Sequence, residues 1–252
     1  MERFKLSRLK INIITIQSCI RALEIIISDG KSGYICVCNS RTSYQANKDD
    51  EYLRIQNNSL MTLPDGMPLV WISKNQGHKN IERVSGKDLM DEIFKISVKN
   101  NYSHYFFGSS PKTIKILKEK LKQLYPGINI VAAISPPFQP VEKYDLKSLS
   151  HQINALQPTF FWCGLGAPKQ EILISSLQPQ LDKTISIGVG LAFEYLAESV
   201  VRAPEWMQKL GLEWIFRLIQ QPSNVPRAIK PLSWVLIQII KSLIRGKKVN
   251  NI

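Results

Sequence analysis

A carboxylate can act as a base only where the backbone aims it, and one segment of this chain has the residues to do so. In "TLPDGMPLVW", Thr62 to Trp71, Pro64 presets one backbone angle while Asp65 and Gly66 tolerate unusual ones, so the chain turns tightly there. Two readings stay open. Asp-Gly between apolar runs is a hairpin signal, in which case Asp65 only helps the chain reverse. Alternatively, the turn holds Asp65 at the mouth of a site.

Other residues suit an anionic ligand. Arg83, in "ERVSGKDL", could grip a diphosphate with its planar fork, or pair with Glu82 or another surface carboxylate. Gly108, the pair Gly164 and Gly166, and the pair Gly188 and Gly190 each fall between an apolar run and a helical period. A glycine turn that opens a helix can point N–H groups at an anion. In "GLGAPKQE", Lys169 would add a point charge, and Gln170 could donate to and accept from a sugar or base. The plain alternative for both is a solvated first helical turn.

Several chemistries lack their residues. Gly164-x-Gly166 is followed by Lys169 where a dinucleotide fingerprint needs glycine, and "GVGLAF" offers Phe193 there. His78, His104 and His151 lie far apart, and no Cys/His/Asp group has metal-ligand spacing. No Gly-x-Ser-x-Gly elbow appears. These absences argue against a nicotinamide oxidoreductase, a zinc hydrolase and a serine hydrolase. Neither a metal nor an organic cofactor is expected.

The elements that must position these residues follow one pattern, an apolar run, a small or polar residue, then a helical period. "YICVCN" leads into Ser40–Asn57, with Asn39 at the junction, and "HYFFGSSP" leads into Lys112–Tyr125. "PTFFWCGLGAP" leads into Lys169–Leu177, and "TISIGVG" into Leu191–Ala197. Ile114, Leu117, Leu121 and Leu124 recur at helical spacing behind Ser110-Pro111, a cap and first-turn pair. Alternating strands and helices predict an α/β fold, Rossmann-like, with a largely parallel sheet and helices on both faces. Ligands of such sheets gather beyond the carboxyl ends of the strands, where Asn39 and the glycine turns fall.

The chain has 252 residues, 44% hydrophobic and 21% charged, and a formal net charge of +13. That charge favours an anionic partner such as a phosphorylated small molecule, an acidic membrane face or nucleic acid. Cys19, Cys36, Cys38 and Cys163 sit in apolar surroundings and read as buried reduced thiols of a reducing cytoplasm. The N-terminal stretch is interrupted by Arg21, Glu24 and Asp29, and reads as a strand and helix rather than a signal peptide.

After about Arg202 the composition turns to Trp, Arg and Lys, with helical segments expected between Pro222, Pro226 and Pro231. The division predicted is a core over 1–198 and a basic helical appendage over 199–252. The longest apolar stretch outside the N-terminus, Pro231 to Ile240, is far short of the roughly 20 residues of a membrane span. Over Ile229–Arg245, Lys230, Gln238, Lys241, Ser242 and Arg245 fall near one helical face, and Leu232, Val235, Leu236, Ile239, Ile240 and Leu243 on the other. Lys247 and Lys248 follow. This is either an interfacial membrane helix or a terminal helix packed on its own core.

Asn39 at its strand end, "PDGMPLV", "ERVSGKDL", "FFGSSP", "GLGAPKQE", "GVGLAF", "VRAPEW" and "LGLEWIFRL" occur in order along nearly the whole chain. In this ordered set the sequence resembles the bacterial WecG/TagA/CpsF glycosyltransferases. The resemblance implies an inverting, metal-independent transfer of a hexose, N-acetylmannosamine or related, from a UDP-sugar to an undecaprenyl-diphosphate-linked sugar. Such reactions serve cell-surface polysaccharide or teichoic acid-type polymers. It implies that Asp65 is the general base, that Asn39 lines its pocket, and that Arg83 and Gln170 lie near donor or acceptor. It places Arg202, Arg217 and Arg227 in an appendage that closes over the site and holds diphosphate.

Further implications are a peripheral place on the inner face of the bacterial plasma membrane, no nucleic-acid partner, and self-association into a homo-oligomer. Val37 stands where the family usually has Thr, Glu194 follows Phe193 in place of Asp, Glu198 stands for a glycine, and Gln221 precedes Pro222 in place of Glu. The competing reading from composition is a non-catalytic basic module that binds nucleic acid or an anionic polymer.

Overall fold

The computed structural model describes residues 1–249, with side chains at all of these except 224 and 245–249. The chain opens with a hairpin of β1 (Arg3–Leu6) and β2 (Leu9–Asn12), then α1 (Ile16–Ser28) and β3 (Gly33–Cys38). Two helices follow, α2 (Ser40–Lys48) and α3 (Asp50–Asn58), then β4 (Met61–Pro64), α4 (Met67–Asn75) and α5 (Gly86–Asn100). Next come β5 (Ser103–Gly108), α6 (Pro111–Leu124), β6 (Asn129–Ile134), α7 (Leu146–Leu156), β7 (Phe160–Gly164) and α8 (Lys169–Leu177). The remainder is β8 (Ile185–Gly188), α9 (Ala192–Leu196), α10 (Glu205–Lys209), α11 (Glu213–Gln220) and α12 (Val225–Val249).

Six strands form one sheet in the order β4-β3-β8-β7-β5-β6, every pairing parallel, as the alternating pattern predicts. Both faces are covered, which explains the unbroken apolar runs. In β7, Phe160 and Trp162 pack into one layer with Phe94 of α5 and Leu117 of α6. Phe161 and Cys163 pack into the other with Leu173 and Ile174 of α8. A fully buried aromatic of this kind contributes roughly 2–3 kcal/mol. All four cysteines are free and buried.

Local chemistry sets several boundaries. The Ser110 hydroxyl accepts from the Thr113 amide and Pro111 opens α6, as read from sequence. Ile114, Leu117 and Leu121 are buried, but Leu124 is 62% exposed, because α6 ends there. The N-terminal strand proves to be a hairpin, which seals the β4 edge. The Asn12 carboxamide oxygen accepts from the Thr62 amide at 2.8 Å. Arg3 forks onto the carbonyls of Asn57, Ser59 and Leu60. No strand precedes α5. Residues 79–85 run as an irregular segment, tied by Glu82 N–H to the Ile14 carbonyl and by Val84 N–H to that of Pro64.

The prolines of the last fifty residues act differently from expectation. Pro222 opens a short 3-10 turn, but Pro226 sits in the first turn of α12 and Pro231 lies within it, so neither breaks the helix. The helix also has three faces rather than two. Pro231, Val235 and Ser242 are buried, and Val235 joins the cluster formed by the hairpin, α2 and α4. Leu236, Ile237, Ile240, Leu243 and Ile244 are exposed, and Lys230 and Lys241 flank them. The side chains of Arg245, Lys247 and Lys248 lie outside those described.

Candidate active site

The turn around Asp65 connects β4 to α4, not one strand to another, so the hairpin reading fails. Asp65 N–H donates to the Cys38 carbonyl at 2.7 Å. Gly66 has φ of 155°, a value that favours glycine, and α4 starts at once with no side-chain cap. The segment thus delivers a carboxylate beyond the sheet's carboxyl edge, into a cavity of about 360 Å³.

Among the described residues the Asp65 carboxylate makes no hydrogen bond or ion pair. Burial pushes its pKa from 3.8 up to about 6. The Arg83 charge opposes that rise, Glu213 adds to it, Arg217 opposes it and Asp88 adds to it. A carboxylate ionised at neutral pH yet close to its pKa suits proton abstraction.

Asn39 lines the same cavity and caps α2. Its carboxamide oxygen accepts from the Arg41 and Thr42 amides at 3.0 and 3.2 Å. The oxygen is therefore committed, and the NH2 group has no partner among the described residues. Val37 also lines the wall and offers no hydroxyl.

Gln170 lines the cavity at Gly166 and Gly190, but it takes up the N–H groups that an anion would need. Its carboxamide oxygen accepts from Gly166 N–H at 3.1 Å and from Gly190 N–H at 2.9 Å. Its NH2 group donates to Glu171 at 2.8 Å. Gln170 thereby ties the turn after β7 to the turn after β8. Glu171 is fully buried, and its second oxygen has no partner. Burial raises its pKa to about 7, against the hydrogen bond from Gln170, its own backbone, the Tyr52 hydroxyl nearby and the more distant charge of Arg41.

Positive charge arrives from both ends of the chain. Arg41, Arg83, Arg202, Arg217 and Arg227 all line the cavity. Arg202 donates to both oxygens of Asp88, at 2.6 and 2.9 Å, and to the Ser85 hydroxyl. Arg217 donates to the Tyr195 hydroxyl at 2.9 Å and lies 3.8 Å from Glu213. Both Arg202 and Arg217 keep a buried Nε with no acceptor. Arg227 forms no ion pair among the described residues. For Asp88, burial acts to raise the pKa, but hydrogen bonds from Arg202 and Ser85 and the charges of Arg202 and Arg83 bring it down to about 2.

The structure brings Asp65, Asn39, Arg83, Gly166, Gln170, Gly190, Arg202, Arg217 and Arg227 to one cavity. Gly108, Gly164, Gly188 and Lys169 lie off its wall. A Cβ on Gly108 would come within 2.5 Å of the Gly164 backbone, and one on Gly164 within 2.6 Å of the Phe193 ring. One on Gly188 would meet the Gln170 side chain at 3.0 Å. Lys169 donates to the Gln139 carbonyl at 3.1 Å and sits 4.0 Å from the Phe138 ring centroid. Tyr195, Gln208 and Glu213 were not singled out in the sequence, yet all three line the cavity. Glu213 heads the block "EWIFRL" four residues before Arg217, a helical spacing that could have marked it.

Asp65 and arginines from distant segments thus meet in one cavity at the carboxyl edge of a parallel sheet, and comparison with known proteins gives the class. The model of the WecG/TagA/CpsF family of glycosyl transferases matches residues 4–249. The chain belongs to that family and is a glycosyltransferase, which displaces the reading as a non-catalytic basic module.

Two similar proteins carry the name N-acetylglucosaminyldiphosphoundecaprenol N-acetyl-beta-D-mannosaminyltransferase. That of Bacillus subtilis strain 168 is 31% identical over 206 residues, 81% of this chain and 78% of the relative. That of Bacillus spizizenii strain W23 is 26% identical over 203 residues, 81% and 77% of the two chains.

Proposed function

We propose that this protein transfers N-acetylmannosamine or a related hexose from a UDP-sugar to an undecaprenyl-diphosphate-linked sugar, with inversion and without a metal. The observation that carries this reading is Asp65. It is unpaired among the described residues, its pKa is lifted to about 6, and it shares its cavity with arginines that leave buried donors unmet. The acceptor class is that named for the two relatives.

In the proposed step the Asp65 carboxylate accepts the proton of the acceptor hydroxyl as that oxygen attacks the anomeric carbon. The bond to the donor diphosphate breaks, and the electron pair leaves with UDP. Arg202, Arg217 and Arg227, which line the cavity, neutralise the charge that develops. The NH2 group of Asn39 is the nearby donor for a sugar hydroxyl. The glycine amides at 166 and 190 take no part, since Gln170 occupies them.

A lipid-linked acceptor requires access to a bilayer surface. Among the described residues no helix is long and apolar enough to cross a membrane. Exposed large apolar side chains cluster instead along the last fifty residues, from Val201 and Trp206 to Ile244, beside Lys230 and Lys241. This supports residues 199–252 as an appendage that lays its outer face on an anionic membrane, the inner leaflet of a bacterial plasma membrane, while the core over 1–198 performs the transfer.

The test is UDP release. Purified protein receives a panel of UDP-sugars and a polyprenyl-diphosphate N-acetylglucosamine acceptor. Turnover with one donor, lost in Asp65→Asn, is expected. No turnover with any donor, or a variant as fast as wild type, would falsify the mechanism.

A further inference from the structure

The resemblance assigns Arg83 to the substrate, but both Nη groups of its guanidinium are already bonded within the protein. Nη1 donates to Glu213 at 2.6 Å, while Nη2 donates to Gln208 at 2.9 Å and to Asp88 at 3.0 Å. The Arg83 side chain is only 13% exposed. Two of its three partners, Gln208 in α10 and Glu213 at the head of α11, come from the chain after residue 199. Asp88, the third, is gripped from its other side by Arg202. The result is an alternating line, Glu213 to Arg83 to Asp88 to Arg202, that crosses twice between the sheet domain and the helices above the cavity.

We propose that Arg83 is a positioning residue, a clasp that holds α10 and α11 over Asp65, and that it does not bind the substrate diphosphate. The inference rests on the transferase reading above and reassigns one residue within it. Three features carry it. First, both Nη groups of Arg83 already donate to protein acceptors, so its fork is not open to grip a diphosphate bidentately.

Second, a diphosphate on Arg83 would have to displace Glu213. That would leave Glu213 with only the longer contact to Arg217, at 3.8 Å, in a cavity that already holds Asp65 and would then hold the diphosphate, a like-charge cost in a partly buried site. Third, the loop that Arg83 anchors is seated closely. Gly211, between α10 and α11, has φ of 70°, and a Cβ there would come within 2.8 Å of Met67 and 3.0 Å of Trp71. Opening the clasp would carry Arg217 away from Asp65, because Glu213 and Arg217 lie on one short helix.

The two assignments of Arg83 predict opposite effects for Glu213→Gln. If Arg83 binds diphosphate, removal of its competitor tightens UDP. If Arg83 is the clasp, loss of Glu213 opens the helices and weakens UDP. The experiment measures UDP affinity by calorimetry, and amide hydrogen exchange across residues 205–220, in wild type, Arg83→Gln, Glu213→Gln and the double variant. Expected are a five- to tenfold rise in Kd and at least tenfold faster exchange in each single variant, with the double variant within twofold of the weaker single.

Tighter UDP binding by Glu213→Gln, or exchange unchanged in both single variants, overturns the clasp. Should Arg83→Gln fail to fold, the Glu213→Gln arm decides alone. Should wild type bind no UDP, the donor reading falls, and the exchange measurement still decides the clasp.

Discussion

Replacing Asp65 by Asn should abolish turnover and at the same time make the protein more stable. The carboxyl of Asp65 moves from 3.8 to about 6 on folding, chiefly through burial. Because the folded value is the higher one, the native state binds the proton more tightly, and ionisation costs stability as pH rises through that interval. The full cost, about 3 kcal/mol, is reached above pH 7 and shrinks to about 0.5 kcal/mol at pH 4. It is an upper figure, since the carboxylate keeps some contact with solvent through the cavity mouth.

Asn-Gly turns as readily as Asp-Gly, so the substitution removes the charge without disturbing the turn between β4 and α4. For a chain of this length a gain near 3 kcal/mol raises Tm by about 6 °C. The assay is paired thermal melts of wild type and Asp65→Asn at pH 4 and pH 8, with UDP release measured beside them. The gain should be present at pH 8 and nearly absent at pH 4, kcat should fall at least a hundredfold, and wild-type kcat/KM should rise with pH through about 6 to a plateau. A variant no more stable than wild type at pH 8, or one that keeps a tenth of kcat, refutes the reasoning.

Other substitutions probe the scaffold. Gln170→Leu leaves the Gly166 and Gly190 amides without an acceptor and should cost about 2–5 kcal/mol in urea unfolding, with activity falling in step; a loss below 1 kcal/mol would remove the tie between the two turns. Gly108→Ala, whose Cβ would press on the Gly164 backbone at a φ of 138°, should cost roughly 2–4 kcal/mol, and an unchanged denaturation midpoint would contradict that contact. Ile237→Asp, Ile240→Asp and Ile244→Asp together should stop flotation with phosphatidylglycerol vesicles while leaving the melt unshifted, because all three side chains face away from the fold. Flotation equal to wild type would move membrane contact off α12.

The parts that sequence makes legible are those governed by near neighbours. Ser110 and Pro111 announce α6 because a cap acts on an amide three residues on. The four apolar runs announce a doubly covered sheet because burial on both faces leaves no polar period. Asp65 stands out because Pro and Gly beside it restrict the turn, yet strand-to-helix and hairpin turns use the same residues, and only the partner of Pro64 tells them apart.

What stays hidden is settled by distance in the chain. Arg83 meets Glu213 across 130 positions, so neither residue reveals that the other will consume it. Gln170 looks like a free ligand until Gly190 is folded beside it. Gly108 and Gly164 read as a phosphate cradle because glycine is common to both uses, while the strands need them for close approach. Pro231 looked like a break, yet α12 runs through it, held on one side by Val235 against the hairpin, α2 and α4.

The two margins of the sheet differ in kind. The β4 margin, after which Asp65 follows, lies against the hairpin, with the Thr62 amide already bonded to Asn12 and so withheld from any further strand. Among the described residues the β6 margin has no strand beyond it, and its bulge opposite His104 and Tyr105 is its main irregularity. Five strand spacings separate the two, about 24 Å at the usual 4.8 Å. A chain that docked along β6 would therefore lie a full domain's breadth from Asp65. A tag or partner fused near β6 would leave the cavity unobstructed.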